Sequence, residues 1–127
     1  MIFLSVEEVI DFHTEIINEF GGAHGIREMG LLISAIEMPK ASMFGEFLHP
    51  TIYDQAAAYL YHIVCNHPFI DGNKRTGTVA ALTFLEVNHV ILKYDDYEME
   101  EMIIHCANGK VEKPEIAHFF KKSDKTK

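Results

Sequence analysis

The stretch from His67 to Gly77 reads HPFIDGNKRTG and gathers an imidazole, a carboxylate, a Gly-Asn pair and two cations. Those residue types suit transfer of a phosphorus-containing group. Such a reaction needs a proton acceptor for the incoming hydroxyl, a hard ligand for a divalent cation and positive charge around phosphate oxygens. His67, an imidazole, could take the proton. Asp71 is an oxygen ligand of the kind magnesium accepts. Gly72 and Asn73 could turn backbone N–H groups toward an anion, and Lys74 and Arg75 could neutralise it, Arg75 in a bidentate way. Each residue has a plainer reading too: a helix-capping histidine, a turn aspartate, a Gly-Asn turn and a solvated Lys-Arg pair. One detail favours the anion. Lys74 and Arg75 stand where an apolar helical pattern begins, and the helix dipole prefers acids there. A polyphosphate bound at that helix start would remove the conflict.

The elements that must hold this stretch are helical. Ser5 followed by Glu8 reads as a capping box, and Val6, Val9, Ile10, His13, Ile16, Ile17 and Phe20 recur at helical spacing up to Gly21-Gly22. His13 falls on the apolar stripe and reads as a hydrogen-bonded boundary residue rather than a catalytic one. Residues 23 to 29 form a loop, with Gly25 and Gly30 as breakers, and a short helix over Leu31 to Ile36 is stopped by Pro39. PKASMFGEFLHP, from Pro39 to Pro50, centres a glycine among aromatics and predicts a short hairpin or extended flap, an irregular loop being the alternative. Thr51 to Asn66 carries a helical stripe that must end near His67, because the residue before proline is pushed out of the helical region. Arg75 to Asn88 is apolar nearly all round and predicts the buried central pillar of the domain. Asp95 or Asp96 caps a helix to about Ala107, and Pro114 opens a last helix carrying Ile116, Phe119 and Phe120.

The 127 residues suffice for one domain with a single core. A net charge of −8 opposes direct nucleic-acid binding. No apolar run reaches membrane-spanning length, and the start MIFLSVEEVIDF lacks the basic region of a signal peptide. The expectation is therefore cytoplasmic, without nucleic-acid or membrane partners. Cys65 and Cys106 sit inside helical patterns and read as reduced core residues. The basic end KKSDKTK reads as a frayed, solvated tail over residues 121–127, outside a domain of residues 1–120.

The segment from His67 through Phe69, Asp71, Gly72, Asn73, Lys74 and Arg75 resembles the signature of the Fic/Doc superfamily, and specifically of the death-on-curing (Doc) toxins. The likeness extends to GLLISAIEMPKASMFGE, to the helix before His67, to TFLEVNHV after it and to the acidic helix from Asp95. It implies an all-α, single compact helical domain with a buried central helix and a short β-hairpin or flap. It also implies ATP and Mg2+ as cofactors, His67 as the catalytic base, Asp71 as the metal ligand, and Gly72, Asn73, Lys74 and Arg75 as the phosphate site. Adenylyl-transferring members usually have glycine where this chain has Lys74 and a second arginine where it has Thr78. The Doc-type reading is that ATP lies turned round and delivers its γ-phosphate to a protein hydroxyl, by resemblance a threonine of elongation factor Tu, so blocking translation. Gly72 is the Fic-like choice, which leaves AMP transfer as the alternative; a catalytically silent binding module is the third. The flap residues Met43, Phe44, Gly45, Glu46 and Phe47 would dock the target backbone as an added strand. Ser42 and Glu46 have the spacing of an internal inhibitory motif, but Phe47 follows and the context is not helical. Silencing by a separate antitoxin, whose disordered segment folds onto the chain, is the implied control.

Overall fold

The computed structural model describes residues 1–126 and forms six helices with a two-stranded hairpin. α1 spans Val6–Phe20, opened by the expected capping box: Ser5 Oγ accepts from Glu8 N and Glu8 Oε1 accepts from Ser5 N. A cap of this kind contributes about 1 kcal/mol. α2 spans Met29–Glu37, and Pro39 lies in a single 3-10 turn, Met38–Lys40, that follows it. Gly30 is no breaker. It sits in the first turn of α2, where its N–H donates to the Glu28 carboxylate.

The strands β1 (Ser42–Met43) and β2 (Glu46–Phe47) pair antiparallel, Ser42 opposite Phe47 and Met43 opposite Glu46. Phe44 (φ 53°) and Gly45 (φ 80°) make the turn. Two consecutive positive φ values are what a tight type I′ hairpin requires. The hairpin form expected of this segment is therefore found.

α3 (Ile52–Asn66) starts at a second capping box, between Thr51 and Asp54. α4 (Asn73–Val87) begins two residues before the expected Arg75, because Gly72 takes the left-handed N-cap position. α5 (Asp96–Ala107) is capped by Asp95, and α6 (Lys113–Ser123) carries Pro114 in its first turn. The pillar of the domain is α3 rather than α4. Its alanines, Ala56, Ala57 and Ala58, are fully buried and admit neighbours on several sides, so that α2, α4, α5 and α6 all pack on it. α4 buries one face against α3 and leaves Lys74, Arg75, Glu86 and Val87 in solvent. Gly77 makes that contact close: a Cβ there would stand 2.9 Å from Val64 Cγ2 and 3.3 Å from the Leu60 carbonyl oxygen.

The frayed end expected of KKSDKTK is not found among the described residues. α6 runs through Ser123, and the chain then pairs with the connector before α5. Lys93 N donates to Ser123 O and Lys125 N donates to Ile91 O, each at 2.8 Å, while Tyr53 Oη donates to Asp124 at 2.5 Å. Lys121, Lys122 and Lys125 stay exposed, but buried Phe119, Phe120 and Ser123 together tie the segment down. Cys65 and Cys106 are free thiols with sulfurs 3.8 Å apart, and burial pushes both thiol pKa values up, that of Cys106 to about 12.

Candidate active site

The loop from His67 to Gly72 joins the C-terminal end of α3 to the N-terminal end of α4. The negative end of one helix dipole and the positive end of another therefore flank it. His67 is exposed and left-handed (φ 49°, ψ 57°), the conformation that ends α3. The loop between α1 and α2 grips this turn. Arg27 Nε donates to His67 O at 2.6 Å, and another guanidinium nitrogen donates to Asn66 O at 2.7 Å. The backbone N–H groups of Arg27 and Glu28 both donate to Pro68 O, and Ile70 N donates to Gly25 O.

Phe69 is buried and holds the loop against the core. The His13 ring lies parallel to it at 3.9 Å, and His13 Nε2 donates to the carbonyl of Asp71 at 2.8 Å. His13 is thus a buried, hydrogen-bonded support beneath the loop. Asn73 closes the loop from the other side: its side-chain oxygen accepts from Phe69 N and its amide donates to Phe69 O, both at 3.0 Å. Both ends of that side chain are therefore committed to the fold. What residues 73–75 offer an anion is their backbone N–H groups, which have no partner within the helix in its first turn.

Gly72 (φ 76°) has a local reason to be glycine. A Cβ would stand 3.1 Å from Ile17 Cδ1 in a backbone conformation that side chains rarely adopt. Asp71 is exposed. Its carboxylate accepts from Ala23 N at 3.2 Å and from Gly72 N at 2.9 Å. Each oxygen keeps a lone pair, so the group suits a hard cation that draws its remaining ligands from phosphate and water. Among the described residues no three His, Cys, Asp or Glu side chains gather as a metal cage.

Lys74 and Arg75 both line a cavity of about 500 Å³ between α1, α4 and α5, with Thr78 from α4, Phe20 from α1, and Asp96 and Glu100 from α5. The Arg75 guanidinium lies 3.9 Å from the centre of the Phe20 ring. A cation at that distance over an aromatic ring is held by the ring's negative face. His67 is not among the residues lining this cavity. The structure therefore brings Asp71, Gly72, Asn73, Lys74 and Arg75 to one helix start and sets His67 at the far end of the same short loop.

The hairpin is anchored elsewhere. Phe47 packs edge-on against Phe3, which stacks on Phe84 in the second half of α4. Phe84 lies roughly 16 Å along the axis from Asn73 at the usual helical rise. Met43, Phe44, Gly45, Glu46 and Phe47 are all exposed, Phe44 by 97%. Arg27 and Phe20 carried no signal in sequence beyond being a lone cation in a glycine-rich loop and the last apolar residue of α1.

The model of the Fic/DOC family matches residues 3–85. Protein kinase doc of Escherichia phage P1 is 30% identical over 117 residues, which cover 92% of this chain and 91% of that protein. Toxin Doc of Mycolicibacterium smegmatis is 45% identical over 76 residues, covering 60% of this chain and 58% of that protein, little more than half its length.

Proposed function

The chain belongs to the Fic/DOC family, and from this membership we propose that it is a Doc-type toxin, transferring the γ-phosphate of ATP to a protein hydroxyl. The observation that carries this reading is the start of α4. The helix starts at Asn73, leaving the first-turn N–H groups without partners inside it, and the side chains of Lys74 and Arg75 line a cavity of about 500 Å³. Anionic oxygens gain there from the dipole, from hydrogen bonds and from two cations.

In this reading His67 takes the proton of the acceptor hydroxyl as that oxygen attacks the γ-phosphorus, and the bond to the β-phosphate oxygen breaks to release ADP. Its exposure suits a group that must meet a macromolecular substrate. Asp71 would hold Mg2+, which when bound shields charge on the phosphate oxygens. Lys74 supports γ- over α-phosphate transfer, since it occupies the position where AMP-transferring relatives carry glycine. Gly72 offers no counterweight, because backbone geometry and the nearby Ile17 account for it.

The acceptor proposed is elongation factor Tu, with arrest of translation in the cytoplasm as the consequence, and the exposed hairpin as the docking strand. An antitoxin segment is proposed to fold into the groove between α1, α4 and α5, whose walls combine Ile16, Phe20, Met99 and Ile103 with Lys74 and Arg75. Among the described residues no helix is long and apolar enough to cross a membrane.

The test is to incubate the chain with elongation factor Tu and ATP labelled at either the γ- or the α-phosphate. Label on the factor from the γ position alone is expected. Label from the α position alone would establish AMP transfer instead. Transfer from neither, with ATP bound, would leave a silent binding module.

A further inference from the structure

We propose that Arg27 is a positioning residue for His67, its guanidinium fixing the direction in which the imidazole leaves the end of α3. The proposal rests on the reading of His67 as the base. The last carbonyls of a helix have no partner within it. The usual remedy is a left-handed residue whose own N–H, together with the next one, folds back onto those carbonyls. Here the left-handed residue is His67 and the next is Pro68, which has no N–H to give. Backbone capping through residue 68 is closed to this helix.

Arg27 supplies what the backbone cannot. Two guanidinium nitrogens hold the carbonyls of Asn66 and His67 at 2.7 and 2.6 Å. The N–H groups of Arg27 and Glu28 hold the Pro68 carbonyl at 2.7 and 3.0 Å. Three successive carbonyls are thus fixed from one dipeptide, on both sides of the His67 Cα. The peptide planes on either side of a residue determine where its Cβ points. The planar fork of arginine holds both planes together, which a lysine, as a point donor, cannot do. A positive charge at the negative end of the α3 dipole adds to the grip. Left-handed backbone is costly for a residue with a side chain and persists only where neighbours enforce it.

The experiment compares wild type, R27A and R27K in the labelled-ATP assay with elongation factor Tu. R27A is expected to lower kcat by about 10- to 100-fold, the scale of a displaced catalytic group. The KM for ATP should stay within about twofold, because the phosphate site at α4 is untouched. R27K should recover part of kcat, and millimolar guanidinium should restore R27A without affecting wild type. An R27A protein that folds and keeps wild-type kcat would overturn the proposal. Should R27A fail to fold, R27K carries the comparison alone: a reduced kcat at unchanged KM supports the proposal and an unchanged kcat overturns it. If wild type itself transfers neither label, the functional reading fails. Positioning is then judged by NMR, where faster amide exchange at Ile70 and shifted His67 ring resonances, with α5 and α6 unchanged, support it. Identical His67 resonances in R27A and wild type would refute it.

Discussion

The side chain of Asn73 spans the peptide group of Phe69, accepting from its N–H and donating to its carbonyl oxygen at 3.0 Å each. Both residues are buried, so neither peptide group has ready access to water. Removing the side chain leaves two buried polar groups unsatisfied, at about 1–3 kcal/mol each. Asn73→Ala is expected to lower the unfolding free energy by about 2–4 kcal/mol in urea denaturation and to speed exchange of the Phe69 amide. An unchanged urea midpoint would show that water can replace both bonds.

Gly77 tests the closeness of α3 and α4. Helix propensity alone favours Gly77→Ala by about 1 kcal/mol. The new Cβ, however, would meet Val64 Cγ2 at 2.9 Å and the Leu60 carbonyl oxygen at 3.3 Å. Overpacking typically costs about 1–3 kcal/mol, so the net effect is expected to be destabilising. A rise in Tm for this variant would mean that the helix pair separates freely.

Stability should fall in mild acid. Burial, then the Lys113 charge, then His49 lower the pKa of His62 to about 4, and burial leads the causes that lower His49. Lys113 Nζ donates to Nε2 of both rings at 3.1 Å, which requires those nitrogens unprotonated. Between pH 6.5 and about 4 the unfolded chain therefore binds more protons at His62 than the folded one, and stability drops as pH falls through that window. With allowance for solvent at these partly exposed rings, the loss at His62 is on the order of 1 kcal/mol. Urea midpoints from pH 7.5 to 4.5 should show the slope, and His62→Phe should flatten it. An equal slope in that variant would assign the effect to other groups.

Phe44 sets folding against docking. It is 97% exposed at φ 53°, so it contributes little packing while holding a conformation suited to glycine or asparagine. Phe44→Asn creates the Asn-Gly pair that type I′ turns prefer and should raise stability by roughly 0.5–1 kcal/mol. If the hairpin receives the protein acceptor, the same change should raise the KM for that acceptor and leave the KM for ATP alone. A variant that is more stable and equally active on the acceptor would remove docking from the hairpin.

Much of the helical framework was legible in the residues alone. Ser5 with Glu8, Asp95, and Pro114 mark helix starts through bonds or φ preferences that act within three or four positions. The buried stripe Met99, Met102, Ile103 and Cys106 follows directly from a helical period. The group HPFIDGNKRTG and its family likeness could likewise be read from order and spacing. Only the tertiary structure decided that α3 is the pillar, that the basic end pairs with the connector before α5, and that Asn73 faces Phe69. It alone revealed the support beneath the loop, because Arg27 and His67 are 40 positions apart and His13 and Asp71 are 58 apart. Capping and amphipathic spacing leave a local trace in the chain, whereas a side chain that satisfies a distant carbonyl has no period and no neighbour to betray it.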